Sequence, residues 1–235
     1  RKASPPFTTS TMQQEAFRKL GFSARRTMSV AQQLYEGVEV AGEGHVALIT
    51  YMRTDSTRVS HEAQAAARDF VKARYGESYL PERVPVYKSK KGAQDAHEAI
   101  RPTRIDRIPE SLSGSLGRDQ LRLYKLIWSR FMASQMANAL YDATTVDIDA
   151  SGGGAMHVFR ATGQVMKFDG FSVLYTEGRD DDKNERDQAL PPLEAGKRLT
   201  LIELVPEEHH TQPPPRFTEA TLVRELEKHR IGRPS

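Results

Sequence analysis

The sequence predicts an α+β protein built from more than one domain. Apolar residues recur at helical spacing over much of the first 138 residues, and after Tyr141 the spacing changes to the alternation typical of strands. Three consecutive prolines at 213–215 form a stiff connection to a last segment with helical spacing. With 235 residues, the chain is long enough for one large or two modest domains, each with its own core.

Four stretches of the first block combine apolar residues at every third or fourth position with helix-ending residues. We predict helices over 10–20, 27–35, 60–75 and 119–138. Ser10 and Gln13 form a capping-box pattern at the start of the first helix. Gly21 and Gly76 follow the first and third helices as expected terminators. Residues 46–51 are rich in β-prone side chains and predict a strand or an extended segment.

Alternating apolar residues in the second block predict several short strands. The predicted strands lie around 144–148, 156–159, 165–174 and 199–205. Glycines at 152–154 predict a turn, and the polar, acidic stretch 177–188 predicts a mobile loop. Thr218 is the expected cap of the last helix, which Gly232 and Pro234 should end.

Charge is distributed unevenly along the chain. Residues 1–140 carry 22 Lys and Arg against 14 Asp and Glu, residues 141–215 carry 7 against 14, and residues 216–235 carry 5 against 3. Contact with a polyanion is therefore expected in the first and last parts and not in the middle. The chain has no cysteine, which excludes disulfides and thiolate metal sites. It also has no apolar run near 18 residues and no charged leader, so we expect a soluble, cytoplasmic protein.

Tyr51 and Arg53 are the first candidates for chemistry. A phenol has a pKa of about 10, so a tyrosine nucleophile needs nearby positive charge to activate it and to stabilise a pentacoordinate phosphorus transition state. Side chains at i and i+2 of an extended segment point to the same face, so Tyr51 and Arg53 could meet one phosphate together. The spacing alone also fits an aromatic residue in the core beside a solvated arginine.

Five sequence blocks occur in a fixed order along the chain. They are PFTTST at 6–11, MSVAQQLYE at 28–36, ITYMRTDST at 49–57, AHEAIRPT at 96–103, and PPPRFTEA at 213–220 followed by IGRPS at 231–235. In content and order they resemble the motifs of type IA DNA topoisomerases, the bacterial DNA topoisomerase I group in particular. The resemblance runs from about residue 5 to the last residue.

The resemblance implies a specific domain arrangement. A helical domain that bears the tyrosine would be inserted in a β-rich arch domain, with the start of a further helical domain at the end. The expected bounds are a linker and arch edge at 1–14, the helical catalytic-tyrosine domain at 15–138, the arch at 139–212 and the helical DNA-binding domain from 213 to 235. We therefore expect the chain to be an internal piece of a longer enzyme, without its Toprim domain and C-terminal region.

The resemblance also implies a reaction. Tyr51 would attack a phosphodiester of single-stranded DNA to form a 5′-phosphotyrosyl link, Arg53 would hold the scissile phosphate, and His97 would lie close to that phosphate or its neighbour. Strand passage and religation would then relax negatively supercoiled DNA. No ATP is needed because one phosphodiester replaces another, and the chain contains no GxxxxGK[ST] motif.

Four residues are candidate DNA contacts on this resemblance, and two of them have a plainer alternative. His97 could instead cap a turn before Pro102, and Arg101 could merely pair with Glu98. Arg216 and Arg233 bracket the last helix and would belong to the DNA-binding domain.

We assign no metal to this chain. Asp147 and Asp149 lack the third acid of the DxDxE element with which the family binds magnesium, and their alternation fits the solvated face of a strand. Mg²⁺ is therefore expected on the Toprim domain of the same polypeptide, and the isolated chain is expected not to cleave DNA.

Two other functions compete with this interpretation. Tyrosine recombinases also form phosphotyrosyl bonds, but their tyrosine follows the arginine and His-x-x-Arg motifs, whereas Tyr51 precedes His97 and Arg101. The second alternative is a non-catalytic scaffold that binds single-stranded DNA. For the leading interpretation the location would be the cytoplasm, in association with the nucleoid.

Overall fold

The computed structural model describes residues 1–87, 97–178, 180, 189–229 and 231. The chain divides into two compact units. The helical unit comprises Arg1–Leu140, Asp169–Asp182 and Phe217–Ser235, and the β unit comprises Tyr141–Phe168 and Lys183–Arg216. The described part therefore has the mixed helix and sheet content that the sequence predicts, while the domain bounds inferred from the resemblance stay a prediction.

Helices dominate the helical unit. They are α1 (Thr9–Leu20), α2 (Ala24–Glu36), α3 (His61–Tyr75), α4 (Arg118–Ser134) and α5 (Glu219–Lys228), with single 3₁₀ turns at Glu77–Tyr79, Pro109–Leu112 and Gly170–Val173. Two short antiparallel strands, β1 (Val38–Val40) and β2 (Gly44–Val46), form a hairpin after α2. Within the described ranges, none of the helices has both the length and the apolar character that a membrane span requires.

The core of the helical unit is built around α4. Leu123, Tyr124, Ile127 and Phe131 recur at helical spacing and are fully buried, as the periodicity predicts. They belong to one cluster with apolar residues of α1 and α2 and the loops beside them, including Phe7, Met12, Phe22, Ala31 and Leu34. Each fully buried side chain of this size contributes about 1.5–3 kcal/mol, so this cluster is the main support for the loops around it.

The cap of helix α1 is Thr8, two residues before the predicted cap Ser10, so the helix begins at Thr9 and not at residue 10. The Thr8 hydroxyl accepts from the Thr11 backbone at 3.4 Å, and the Thr11 hydroxyl accepts from the Thr8 backbone at 2.9 Å. A cap needs an extended backbone, and Thr8 has one because the neighbouring Phe7 pairs with Ile100 in an isolated β-bridge. Ser10 is buried within the helix.

Helix α4 ends at Ser134, four residues before the predicted end. The backbone N–H of Ala137 donates to the Tyr79 carbonyl at 2.8 Å, and the Ala137 carbonyl accepts from Phe171 at 2.9 Å. Because Ala137 makes these tertiary bonds in place of helical ones, the α-helix does not continue to residue 138 as local periodicity predicts. The caps at Ser60 and Gly76 of α3 and at Gly21 of α1 are confirmed.

The β unit contains a long antiparallel pair, β3 (Leu140–Gly152) and β4 (Ala155–Phe168). Gly153 and Gly154 form its turn with φ of 59° and 82°, a left-handed geometry that glycine adopts without strain. The predicted strand at 165–174 is wrong after Phe168, where Gly170 starts a 3₁₀ turn. Residues 199–205 form no strand with any described residue and are exposed, since an alternating sequence also needs a partner strand.

Helix α5 begins after the predicted cap, Thr218, and packs against α1. Its first residue, Glu219, accepts from the Ala24 backbone at 2.6 Å, at the start of α2. Its predicted terminators, Gly232 and Pro234, lie outside the described residues, as do 179 and 181–188 of the predicted mobile loop.

Candidate active site

Tyr51 lies on a segment, residues 50–56, that we term the Tyr51 strap. Along the strap exposed and buried side chains alternate: Tyr51, Arg53 and Asp55 are exposed, and Met52, Thr54 and Ser56 are buried. Tyr51 is 45% exposed despite its large ring. The alternation of exposed and buried residues that the i, i+2 spacing predicts is therefore present, and both Tyr51 and Arg53 are accessible.

Hydrogen bonds accepted by backbone carbonyls hold the Tyr51 strap in place. The Thr9 hydroxyl donates to the Met52 carbonyl at 2.7 Å, and the Thr9 backbone donates to the Thr54 carbonyl at 2.9 Å. At the other end the Thr50 backbone donates to the Arg101 carbonyl at 2.9 Å, and the Thr50 hydroxyl donates to the Ala99 carbonyl at 2.7 Å. The exposed phenol is thus carried on a backbone held by α1 on one side and by residues 99–101 on the other.

A small open cleft of about 170 Å³ lies beside the phenol. It is lined by Thr50, Tyr51, Thr54, His97 and Glu98. The structure therefore brings His97 to the same cleft as Tyr51, although 46 positions separate them in the sequence. If His97 only capped a turn before Pro102, it would not need to lie near Tyr51.

Tyr35, at the end of α2, packs against the Tyr51 ring. The ring centroids are 5.2 Å apart and the planes are inclined at 62°, an edge-to-face arrangement. Sequence reasoning assigned no role to Tyr35, although the residue lies inside the 28–36 block. No spacing rule could have paired the two rings, because the β1–β2 hairpin separates them along the chain.

Arg53 and Arg101 differ in their partners. Among the described residues, Arg53 makes no hydrogen bond or ion pair, and its side chain is exposed. Arg101 donates from Nε and Nη2 to Glu98 at 3.0 and 2.7 Å and from Nη1 to the Pro102 carbonyl at 3.0 Å. Its side chain is only 14% exposed. Arg101 therefore makes the pair with Glu98 that the sequence left open as the plainer alternative.

The two remaining candidate contacts are Arg216 and Arg233. Arg216 is exposed at the end of the β unit, and Arg233 lies outside the described residues. Their assignment as DNA contacts stays a prediction.

Asp147, one of the two acids considered for magnesium, is paired with an arginine. It accepts from Arg160 at 2.7 and 2.9 Å, and this guanidinium holds the pKa of the Asp147 carboxyl below its ordinary value. Within the described ranges, no three Asp, Glu, His or Cys side chains come together in a way that could hold a metal ion. The assignment of Mg²⁺ to another part of the polypeptide stays a prediction.

Comparison with known proteins defines the class. The family model described as DNA topoisomerase matches residues 1–235, the whole chain. The chain belongs to this family, and within it to the type IA enzymes that its sequence blocks resemble.

A solved structure gives the more particular likeness. The chain is similar to full-length topoisomerase I from Thermotoga maritima, with 42% sequence identity and a TM-score of 0.81. The match covers 99% of this chain and 36% of the Thermotoga chain. This chain therefore spans about a third of the length of that protein.

Proposed function

We propose that this chain supplies the nucleophile of a type IA topoisomerase that relaxes negatively supercoiled DNA. The observation that carries the proposal is the Tyr51 strap, where an anchored segment carries an exposed phenol and an exposed guanidinium that has no partner among the described residues. An accessible positive charge beside an accessible phenol suits attack on a phosphate.

The proposed reaction is a transesterification. The Tyr51 Oη loses its proton and attacks the phosphorus, a new Oη–P bond forms, and the P–O3′ bond breaks. The phenol gives its proton to solvent and the leaving 3′ oxygen takes one up from solvent, so protons balance, and the phosphate stays joined to its 5′ oxygen and to the tyrosine. After strand passage the 3′-hydroxyl reverses the attack, so the number of phosphodiesters is unchanged and no ATP is consumed.

The surrounding side chains have distinct proposed roles. Arg53 contacts the scissile phosphate and stabilises the extra negative charge of the transition state. His97 donates to that phosphate or its neighbour from the shared cleft. Arg101 acts from a distance, because its guanidinium already holds Glu98 at the edge of the cleft. Arg216 and Arg233 remain proposed DNA contacts of the last part of the chain.

The proposed partners follow from the family. They are single-stranded and negatively supercoiled DNA and the Toprim domain of the same polypeptide, which would hold Mg²⁺ outside this chain. The proposed location is the cytoplasm, in association with the nucleoid. No specific observation favours the alternative of a non-catalytic DNA-binding scaffold.

The test is covalent capture of DNA. The chain is combined with the family's magnesium-binding domain, Mg²⁺ and a single-stranded oligonucleotide labelled at its 3′ end, and the label that stays on the protein is measured after denaturation. Tyr51→Phe should abolish the adduct and leave DNA affinity within about twofold of the unchanged protein, since one hydroxyl contributes little to binding. Tyr35→Phe is the matched control, because it removes a hydroxyl from the neighbouring ring and should still form the adduct. An adduct in Tyr51→Phe would overturn the assignment.

A further inference from the structure

A second cleft, of about 200 Å³, lies in the helical unit where the end of α1 meets α4. We term it the basic cleft; its lining includes Lys19, Arg122, Lys125, Leu126, Ser129 and Tyr175. Three of the lining residues are cationic and none is acidic. We propose that the basic cleft binds a backbone phosphate of a DNA segment that lies away from the Tyr51 strap.

Local contacts fix two of the cations at the wall of the basic cleft without neutralising them. Arg122 donates to the Leu20 carbonyl at 3.1 Å, and its guanidinium carbon lies 5.2 Å from the Phe22 ring centroid. Lys19 donates to the Thr176 carbonyl, and its Nζ lies 3.9 Å from the Tyr175 ring centroid. Carbonyls and aromatic rings orient these groups but carry no full negative charge. An anion can therefore still pair with both.

The acids nearest to the basic cleft leave its charge largely in place. Lys125 lies 3.6 Å from Glu110, but both side chains are mostly exposed, and such pairs are worth little in water. Glu15 and Glu177 both act on the Lys19 charge, but Glu15 also accepts from Arg18 at 3.1 Å and Glu177 accepts from Arg130, so each carboxylate is shared with an arginine outside the cleft. Burial lowers the pKa of the Lys19 ammonium, and an anion in the cleft would counter this effect by stabilising the charged form.

The remaining lining matches a nucleotide. Arg122, Lys125 and Ser129 lie on α4 at i, i+3 and i+7, so a guanidinium, an ammonium and a hydroxyl share one face of the helix. Among the described residues the Ser129 hydroxyl has no hydrogen-bond partner, so it is available as a donor. Leu126 and Tyr175 add apolar and aromatic surface, which suits a sugar or base beside the phosphate.

The basic cleft lies at the opposite end of α1 from the Tyr51 strap. Helix α1 has 12 residues and is therefore about 18 Å long. Its first residue, Thr9, anchors the Tyr51 strap, and its last residues line the basic cleft. The phosphate in the basic cleft is thus not the one that Tyr51 attacks, and the inference extends the proposed function, on which it rests for the identity of DNA as the ligand.

The test measures DNA affinity of the chain as it stands. Binding of a fluorescent oligo-dT is followed by anisotropy from low to moderate salt for Lys125→Gln and for Lys72→Gln. Lys72 is the matched control, because it is also an exposed, ion-paired lysine on a helix, and its substitution changes the net charge equally. Lys125→Gln should weaken binding about threefold relative to Lys72→Gln and reduce the slope of log K against log salt by about 0.7, the value for one phosphate of a single strand. Equal losses in the two variants would reject the basic cleft.

A second measurement separates a DNA phosphate from a free anion. Amide chemical shifts around Lys125 and Ser129 are followed during titration with unlabelled oligo-dT and, at matched ionic strength, with inorganic phosphate. Shifts at micromolar oligo-dT without shifts at millimolar phosphate support the proposal, and equal responses to both would make this a small-anion site and overturn it. If the unchanged chain binds no oligo-dT, the basic cleft is rejected, and the proposed function is then judged by covalent capture in the presence of the magnesium-binding domain. If the unchanged chain binds and Lys125→Gln behaves like the control, only the cleft is rejected.

Discussion

At the scale of single residues, the exposed guanidinium of Arg53, which has no partner in the part of the chain that the structure describes, leads to a kinetic prediction. Its charge matters most when the phosphate gains charge in the transition state, so Arg53→Ala should slow single-turnover cleavage and religation about 100-fold or more. DNA affinity should fall no more than about threefold, the effect of one exposed charge. Arg53→Lys should recover part of the rate because it keeps the charge without the planar fork. Equal losses of rate and affinity would show that Arg53 only binds.

The contact between Tyr35 and Tyr51 predicts a positioning effect. Edge-to-face pairs are worth about 0.5–1.5 kcal/mol, and 1.4 kcal/mol corresponds to tenfold in rate. Tyr35→Leu should therefore slow adduct formation about two- to tenfold, while Tyr35→Phe keeps the ring and should react normally. The rate of adduct formation at saturating oligonucleotide is the measurement. Identical rates for the two variants would mean that the ring does not orient the nucleophile.

These residues also show what sequence can and cannot predict about a site. The pair Tyr51 and Arg53 is local, so extended-chain geometry is enough to place both on one side. His97 was assigned to the site only through its motif, and the partners of Arg101 depended on how the AHEAIRPT block folds. Tyr35 could not be predicted, because a contact between two rings across a hairpin leaves no periodic trace in the sequence.

At the scale of secondary structure, Gly170 predicts a loss of stability. It has φ of +49°, and a Cβ added there would lie 2.5 Å from the Asn138 carbonyl oxygen. Gly170→Ala should lower the free energy of unfolding by roughly 2–4 kcal/mol, from left-handed strain and from the clash with backbone. Gly114→Ala is the matched control, since Gly114 has ordinary φ and no atom within 4 Å of the added Cβ. Urea unfolding monitored through Trp128 measures both, and equal midpoints would contradict the prediction.

Helices and strands were predictable to different degrees for a physical reason. The caps Ser60 and Thr218 and the apolar face of α4 are fixed by nearby residues, and they were predicted correctly. The end of α4 and the cap of α1 depend on distant bonds to Tyr79 and Ile100, so local rules missed both. Residues 199–205 show why strands are harder to predict. Alternation indicates which side chains would share one face of a strand, but it does not show whether a partner strand is present.

At the scale of the whole helical unit, Asp180 joins α1 to α5. It accepts from Arg18 at 2.7 and 2.8 Å and from Arg224 at 3.0 Å. Hydrogen bonding from Arg18 holds the pKa of the Asp180 carboxyl below its ordinary value. A carboxyl whose pKa is lower in the folded state stabilises the fold above its unfolded pKa of about 3.9 and loses that contribution as the pH falls through the folded value.

The corresponding measurement is the melting temperature of the unchanged chain minus that of Asp180→Asn. This difference should be positive and constant from about pH 7 to pH 5 and should shrink below about pH 4. Asp69→Asn, on the exposed side of α3, serves as the control and should show little difference at any pH. A difference for Asp180→Asn that does not change with pH would show that the ionisation of the Asp180 carboxyl does not contribute to the stability of the helical unit.

The β3–β4 ribbon has a practical consequence for handling the purified chain. At 3.4 Å per residue its strands reach about 45 Å, and both outer edges lack a neighbour among the described residues. Met156, Val158 and Phe159 are exposed along β4. Unpaired backbone groups beside apolar side chains can pair with a strand of another molecule. Light scattering of concentrated solutions should therefore increase with time as the chain aggregates. Val158→Lys should slow this increase, because it places a charge on the exposed strand.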